Sequence, residues 1–239
     1  MRPRVLLVED EPTVRTLGVR LLERIGFEAV SVTSVESATG LIQRESFAVI
    51  LVDMDLPDGD GAALALVTRT SGANPLTPVV AVSGSMSEAA RRRFTEAGGT
   101  ACIDKPYTLA SLRGGLAPWS PRHDADETAV RPASVGFDPS PLRDVAGDDR
   151  VLLQRIVEVF TRDARLHVAE YAQAISRGDA TEAERRMHQL AGAAGMVGAT
   201  SLFRIARGYM HVPATKATLE DVQGELERVL PMLAALVSR

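Results

Sequence analysis

The chain has 239 residues, 45% apolar and 24% charged, the make-up of an ordinary globular protein with room for one or two cores. Its net charge of -4 gives no basic footprint for nucleic acid, and a single cysteine, Cys102, excludes an intrachain disulfide framework and suits a reducing compartment. Acids at Glu9, Asp10 and Glu11 come too soon for a signal peptide, and no apolar run nears the roughly 20 residues of a membrane span. A cytoplasmic protein without nucleic-acid or membrane partners is expected.

Residues 4–8 (RVLLV) form a short apolar run that ends in the three acids. Pro12 then opens a helical pattern through Val14, Leu17, Leu21 and Leu22 that closes near Gly26. Strand-like runs at 29–32, 47–52, 78–82 and 101–103 alternate with helical patterns at 34–44, 62–70, 87–97 and 109–116. Short apolar runs bounded by breakers read as strands buried on both faces of a sheet. The alternation predicts an α/β, doubly wound, five-stranded parallel sheet.

Within AVILVDMDLPDGDG (48–61) the apolar run stops at Asp53, and Pro57, Gly59 and Gly61 break any regular element. Alone, Asp53 reads equally well as a turn or cap residue. Three other strands also end in polar groups, at Glu9 with Asp10, at Ser83 and at Lys105. The carboxyl ends of such a sheet line one crevice, so these side chains can converge there. Crowded carboxylates repel unless a cation joins them, and Mg²⁺ favours a few carboxylates plus waters and a phosphate oxygen. A lysine and a hydroxyl suit phosphoryl oxygens, and positioning with charge neutralisation is most of what phosphoryl transfer needs.

With its acidic pair, Asp53, Ser83 and Lys105-Pro106 in that order, the stretch from 4 to about 116 resembles the receiver domain of response regulators, a flavodoxin-like fold. The resemblance implies that Asp53 is the phosphoacceptor and that Mg²⁺ is held by Glu9, Asp10, Asp53 and the backbone carbonyl of Asp55, Asp10 being the direct ligand of the acidic pair. It further implies that Ser83 and Lys105 meet the phosphoryl group, that Lys105-Pro106 is cis, and that Gly84 leaves room for the donor. Cys102 departs from the family, which carries Tyr or Phe three residues before the lysine as a switch. A small thiol cannot swing as a ring does, and core filling is the simpler role for it.

Residues 117–136 hold Pro118, Pro121 and Pro132, with Pro139 just beyond, and mixed charges without apolar periodicity, which reads as an exposed linker. Trp119 is expected to pack on one domain and His123 to be solvated. The expected domains are 1–117, a linker at 118–136 and a helical unit at 137–239. In that last unit Val151, Leu152, Ile156, Val159 and Phe160 begin one apolar stripe, continued by Leu166, Val168, Tyr171 and Ile175 to Gly178. Asp179 caps the next helix, and later stripes run through Leu202, Ile205, Ala206 and Tyr209 and from Leu219 to Leu236. Four principal helices with short connections predict an all-α antiparallel four-helix bundle.

In the helix over 180–197 the buried stripe is Ala183, Met187, Leu190, Ala194 and Val197, and His188 lies about 100° around from Met187. Glu184, Gly192 and Gly195 share its face. A helix-interior glycine costs about 1 kcal/mol relative to alanine, so two beside one histidine fit either close approach by a partner surface or tight packing of a small-residue helix. The run RMHQLAGAAGMVGATSL resembles the histidine phosphotransfer (HPt) domain, whose motif is His-x-Leu-x-Gly, which implies that His188 is phosphorylated. Many members carry a lysine three residues after the histidine. Here that residue is Ala191, with Arg185 and Arg186 one turn before as candidate substitutes. His167 and His211 match nothing and read as helix-surface or helix-end residues.

Together these readings predict a phosphorelay protein. Asp53 takes a phosphoryl group from a sensor histidine kinase or other phosphohistidine donor, and His188 exchanges phosphate with a receiver aspartate. No Gly-rich ATP-binding motif is present, so the chain is a phosphoacceptor without an ATP-dependent kinase domain of its own. The alternative is a phosphorylation-gated binding module whose helical bundle only docks or dimerises, with His188 inert.

Overall fold

A computed structural model describes residues 2–70, 72–84, 86–120 and 136–238. It divides into two compact units, Met1–Ala129 and Val130–Arg239. His123 lies outside the described residues.

In the first unit β1 (Arg4–Val8), β2 (Glu28–Val32), β3 (Val49–Asp53), β6 (Val79–Ser83) and β7 (Ala101–Asp104) form one parallel sheet in the order β2-β1-β3-β6-β7. A two-residue hairpin, β4 (Asp55–Leu56) with β5 (Gly59–Asp60), follows β3. Every residue of β3 and β6 is buried, as continuous apolar runs require when helices cover both faces. Alternation divides their side chains. Leu6, Val8, Ile50, Val52, Val79 and Ala81 share one core with Ala38 and Ile42 of α2 (Val35–Ile42), Leu64 and Ala65 of α3 (Gly61–Thr70) and Phe94 of α4 (Glu88–Glu96). On the other face Leu7 meets α1 (Pro12–Arg24) at Gly18, and α1 packs beside α5 (Leu109–Leu116).

Local chemistry sets the helix starts. Glu11 accepts the Val14 N–H at the head of α1, with Pro12 in the first turn; Ser34 and Ser87 cap α2 and α4, and Thr108 forms a capping box with Ser111 on α5. Trp119 is half-buried on this unit, its N–H donating to Leu116 O at 2.9 Å, and Ser120 Oγ donates to Ile25 O at 3.2 Å.

The second unit is helical: α6 (Ser140–Ala146), α7 (Arg150–Arg177), α8 (Ala180–Met196), α9 (Thr200–Gly208) and α10 (Lys216–Val237). α7 packs on α8 and α10, and α9 packs on the same two, closing a ring of four. Phe160, Tyr171, Met187, Leu190, Leu202, Val222, Leu226 and Leu233 fill its interior. Gly178 ends α7 with φ 65°, a left-handed position that suits glycine, and Asp179 caps α8 through the Glu182 N–H. At the α8–α9 turn Gly198 (φ 79°) has no side chain, which lets the incoming segment lie against it: Asp138 N donates to Gly198 O at 2.8 Å and Ser201 N to Gly136 O at 3.0 Å.

Three positions differ from the sequence expectation. His167 is 5% exposed rather than on the surface, and Asp163 one turn before it is 4% exposed. Their spacing from Phe160 and Tyr171 explains this, since 160, 163, 164, 167, 168 and 171 lie on one helical stripe. Leu166, six residues from Phe160, falls on the opposite side and is 51% exposed. Val151 is 80% exposed because, nine residues before Phe160, it falls about 180° around the helix, while Leu152 and Leu153 in the same turn are half-buried.

Candidate functional site

Parallel register brings the ends of four neighbouring strands to one edge. Val8 pairs with Val52, Asp53 with Val82 and Ser83 with Asp104, so Glu9, Asp53, Ser83 and Lys105 stand side by side. Glu9, Asp53, Ser83 and Lys105 are all nearly inaccessible, and Asp10 is half-buried. Lys105 Nζ lies 2.7 Å from Asp53 Oδ2 and 2.7 Å from Glu9 Oε2. Asp53 Oδ1 accepts the Asp55 N–H at 3.2 Å, and Lys105-Pro106 is cis.

One ammonium thus serves two buried carboxylates. Burial would push Lys105 down, but Asp53 and then Glu9 outweigh it, and the ammonium is held well above its ordinary value. Glu9 is pushed well above the usual carboxylate range by burial; Lys105 opposes this and Asp53 adds to it. Three carboxyl groups, of Glu9, Asp10 and Asp53, are thus grouped around a single ammonium. Carboxylate oxygens of Glu9, Asp10 and Asp53 lie within 4.8 Å of one another, and Glu9 Oε1 is buried with no hydrogen-bond partner among the described residues. More acids than cations, an orphaned oxygen and hard oxygen donors fit a divalent cation such as Mg²⁺.

Three supporting residues carry no clear signal in the sequence. Arg15 donates from Nη1 to the carbonyls of Glu9 (3.0 Å) and Asp10 (2.8 Å), bracing the acidic loop from α1. Tyr107 is buried with its hydroxyl over Gly18, where a Cβ would lie 2.6 Å away, and burial beside Glu9 pushes the phenol far up, so it stays protonated. Asp58 reaches from the hairpin to the start of α2, accepting the N–H groups of Val35 and Glu36 at 3.0 Å each. All the chain offers for them is an arginine one turn into a helix that starts at acids, an aromatic next to Lys-Pro, and an acid in a turn. None names its partner.

Burial is the largest single influence and would raise the Asp58 carboxyl, but the N–H donors of Glu36, Val35 and Asp58 itself together hold it below its ordinary value. A depressed carboxylate contributes stability above its unfolded pKa, about 3.9, that is lost as pH falls through the folded value. Asp58→Ala should therefore speed hydrogen exchange of the Val35 and Glu36 amides near neutral pH, with the difference from wild type shrinking once pH falls below the ordinary carboxylate range. Equal exchange in variant and wild type near neutral pH would show that the cap does not hold the hairpin to α2.

Cys102 is half-buried on β7, packs against the α2–α4 core and donates from Sγ to Met86 Sδ at 3.6 Å. Burial pushes its thiol up, which makes it a poor nucleophile and fits core filling.

On α8 His188 is half-buried on the flank of the helix, with Gly192 and Gly195 half-buried on the same side and Ala191 buried. Glu184, one turn before, meets His211 Nδ1 at 2.8 Å. The two arginines part company. Arg186 is drawn onto α7, with Nη1 2.7 Å from Glu170 and Nε 2.6 Å from Glu182, whereas Arg185 is held bidentately by Glu182 at 2.9 and 3.0 Å.

An acid–lysine cluster stands at the edge of a parallel sheet, and a four-helix bundle with a flank histidine follows it in the chain. The response regulator receiver domain family matches residues 5–116 and the Hpt domain family residues 155–238; the chain is a receiver domain joined to an Hpt domain. The Hpt match spans His188, and the reading of the bundle as a mere docking surface is not favoured.

The chain is 23% identical over 232 residues to the sensor protein EvgS of Escherichia coli (strain K12), covering 97% of this chain and 19% of that protein. It is 36% identical over 112 residues to the response regulator protein PilR of Pseudomonas aeruginosa, covering 47% of this chain and 25% of PilR. It therefore spans a quarter or less of either relative. Among solved structures, the receiver domain of sensor histidine kinase PA1611 from Pseudomonas aeruginosa PAO1, with a magnesium ion coordinated in its active site cleft, is 26% identical with a TM-score of 0.47, covering 50% of this chain and 98% of that one. No helix among the described residues is long and apolar enough to cross a membrane.

Proposed function

We propose that Asp53 accepts a phosphoryl group from a phosphohistidine donor and that His188 carries phosphate to or from a receiver aspartate. The observation that carries the first half is Lys105 Nζ at 2.7 Å from both Asp53 and Glu9 where four strands end. An Asp53 oxygen attacks phosphorus, forming an acyl phosphate as the donor's N–P bond breaks and leaves its electron pair on the imidazole. Lys105 holds the carboxylate and meets the phosphoryl charge, and the Ser83 hydroxyl donates to a phosphoryl oxygen. Glu9, Asp10, Asp53 and the Asp55 carbonyl would hold Mg²⁺, whose charge, when it is bound, screens the phosphoryl oxygens from the acids.

His188 stands half-buried on a helix flank beside Gly192 and Gly195, whose lack of side chains supports a role as a carrier that another domain can approach. Donor and acceptor partners are accordingly a sensor histidine kinase or other phosphohistidine protein and further receiver domains, in the cytoplasm. Receiver (1–117), linker (118–136) and bundle (137–239) are the proposed working parts.

The test is the full chain with a small acyl phosphate and Mg²⁺, scoring label by its lability in alkali. Alkali-labile label absent from Asp53→Asn, and alkali-stable label absent from His188→Gln, are expected. Undiminished label of either kind in its variant would remove that residue from the relay.

A further inference from the structure

We propose that Arg185 is the cation that meets the phosphoryl group on His188, exchanging Glu182 for it; this rests on the reading of His188 as the phosphorylated residue. Helical side chains lean toward the N-terminal turn, so the His188 imidazole lies over the turn that holds Glu184 and Arg185, four and three residues back. A lysine at 191 would lean back over His188 in the same way, but Ala191 has no charge to offer and is 4% exposed.

The basic residues of α8 other than His188 are Arg185 and Arg186. Arg186 is two residues from His188, on another side of the helix, and is committed to structure: its side chain is 14% exposed and ties α8 to Glu170 of α7 as well as to Glu182 and Gln189. Arg185 is 37% exposed, and the bidentate hold on it comes from a carboxylate of its own helix, so a rotamer change breaks that hold without separating two helices. Its hydrogen bonds, foremost among several causes, hold the Glu182 carboxyl below the ordinary range, so the pair is formed near neutrality. A phosphoryl group offers more charge and three acceptor oxygens against one charge and two oxygens on Glu182, which favours the exchange.

The surroundings call for such a cation. Glu184, one turn before His188 on the same face, puts a carboxylate near an arriving phosphoryl group, and His211 Nδ1 pairs with that carboxylate at 2.8 Å. Two more arginines, Arg204 and Arg207, stand on α9 packed against α8; Arg207 lies over its own helix's Phe203 ring at 5.8 Å. In the transfer, a neutral imidazole nitrogen of His188 attacks the acyl phosphate; the N–P bond forms, the P–O bond breaks, and the electron pair leaves with the aspartate. The second ring nitrogen keeps its proton. Arg185 neutralises phosphoryl charge throughout and no proton need move through it.

The experiment follows alkali-stable label on the full chain from a phosphorylated receiver, with circular dichroism confirming the fold of each variant. Arg185→Gln should slow label formation about tenfold, the worth of one charge-assisted hydrogen bond, and Arg185→Lys should recover most of it. Glu182→Gln, which weakens the hold on Arg185, should speed it. Wild-type rates in Arg185→Gln, or a loss in Arg207→Gln in its place, would overturn the assignment of Arg185. Absence of alkali-stable label from the wild type itself would instead overturn the histidyl reading beneath it.

Discussion

Replacing Lys105 by methionine is expected to abolish stable phosphorylation of Asp53 and to destabilise the receiver unit by about 3 kcal/mol at pH 7, the cost of leaving buried carboxylates without their cation. Lys105 touches Asp53 and Glu9 at 2.7 Å each, so its loss leaves two buried carboxyl groups facing one another without a cation. The pH dependence follows from Glu9, whose folded pKa is already raised by burial. Such a group contributes stability that is fully present below its unfolded pKa, about 4.3, and is lost as pH rises through the folded value. Without Lys105 that loss deepens, so the gap between variant and wild type should widen as pH rises above the ordinary carboxylate range. Urea unfolding of the full chain, followed through the receiver transition at several pH values, measures it. A gap that stays constant with pH would mean that lost packing of the lysine stem, not charge, dominates.

Gly198→Ala is the counterpart in the bundle. A Cβ there would fall on the carbonyl of Asp138, and φ of 79° is unfavourable for any L side chain. Strain and overpacking together should cost about 3 kcal/mol. The expected result is selective: the bundle melts earlier in calorimetry while the receiver transition stays where it was, and alkali-stable label falls only where the bundle has unfolded. An unchanged bundle transition would show that the 136–138 segment yields cheaply and is not part of what holds the α8–α9 turn.

The chain order of the receiver site is legible in the sequence because each of its residues sits at a strand end, and strand ends are marked locally by apolar runs and breakers. Asp53 at the close of VILVD and Lys105 ahead of Pro106 are of this kind. His188 is legible for a similar reason, since helical spacing fixes its angle to Met187. His167 shows where residue type and periodicity conflict. Its polarity argues for the surface, but its spacing from Phe160 and Tyr171 puts it inside, and it is 5% exposed.

Sequence by itself determined which residues stand at the sheet edge and on the helix flank, because secondary structure and register follow from patterns a few residues long. Tertiary structure alone decided what those residues meet. That Lys105 spans Glu9 and Asp53, that Asp58 caps α2, and that Arg186 is drawn to Glu170 while Arg185 stays with Glu182 are outcomes of packing between distant segments. Charged side chains are long and rotatable, and their partners are chosen by burial and proximity after the backbone has folded; no local pattern carries that information.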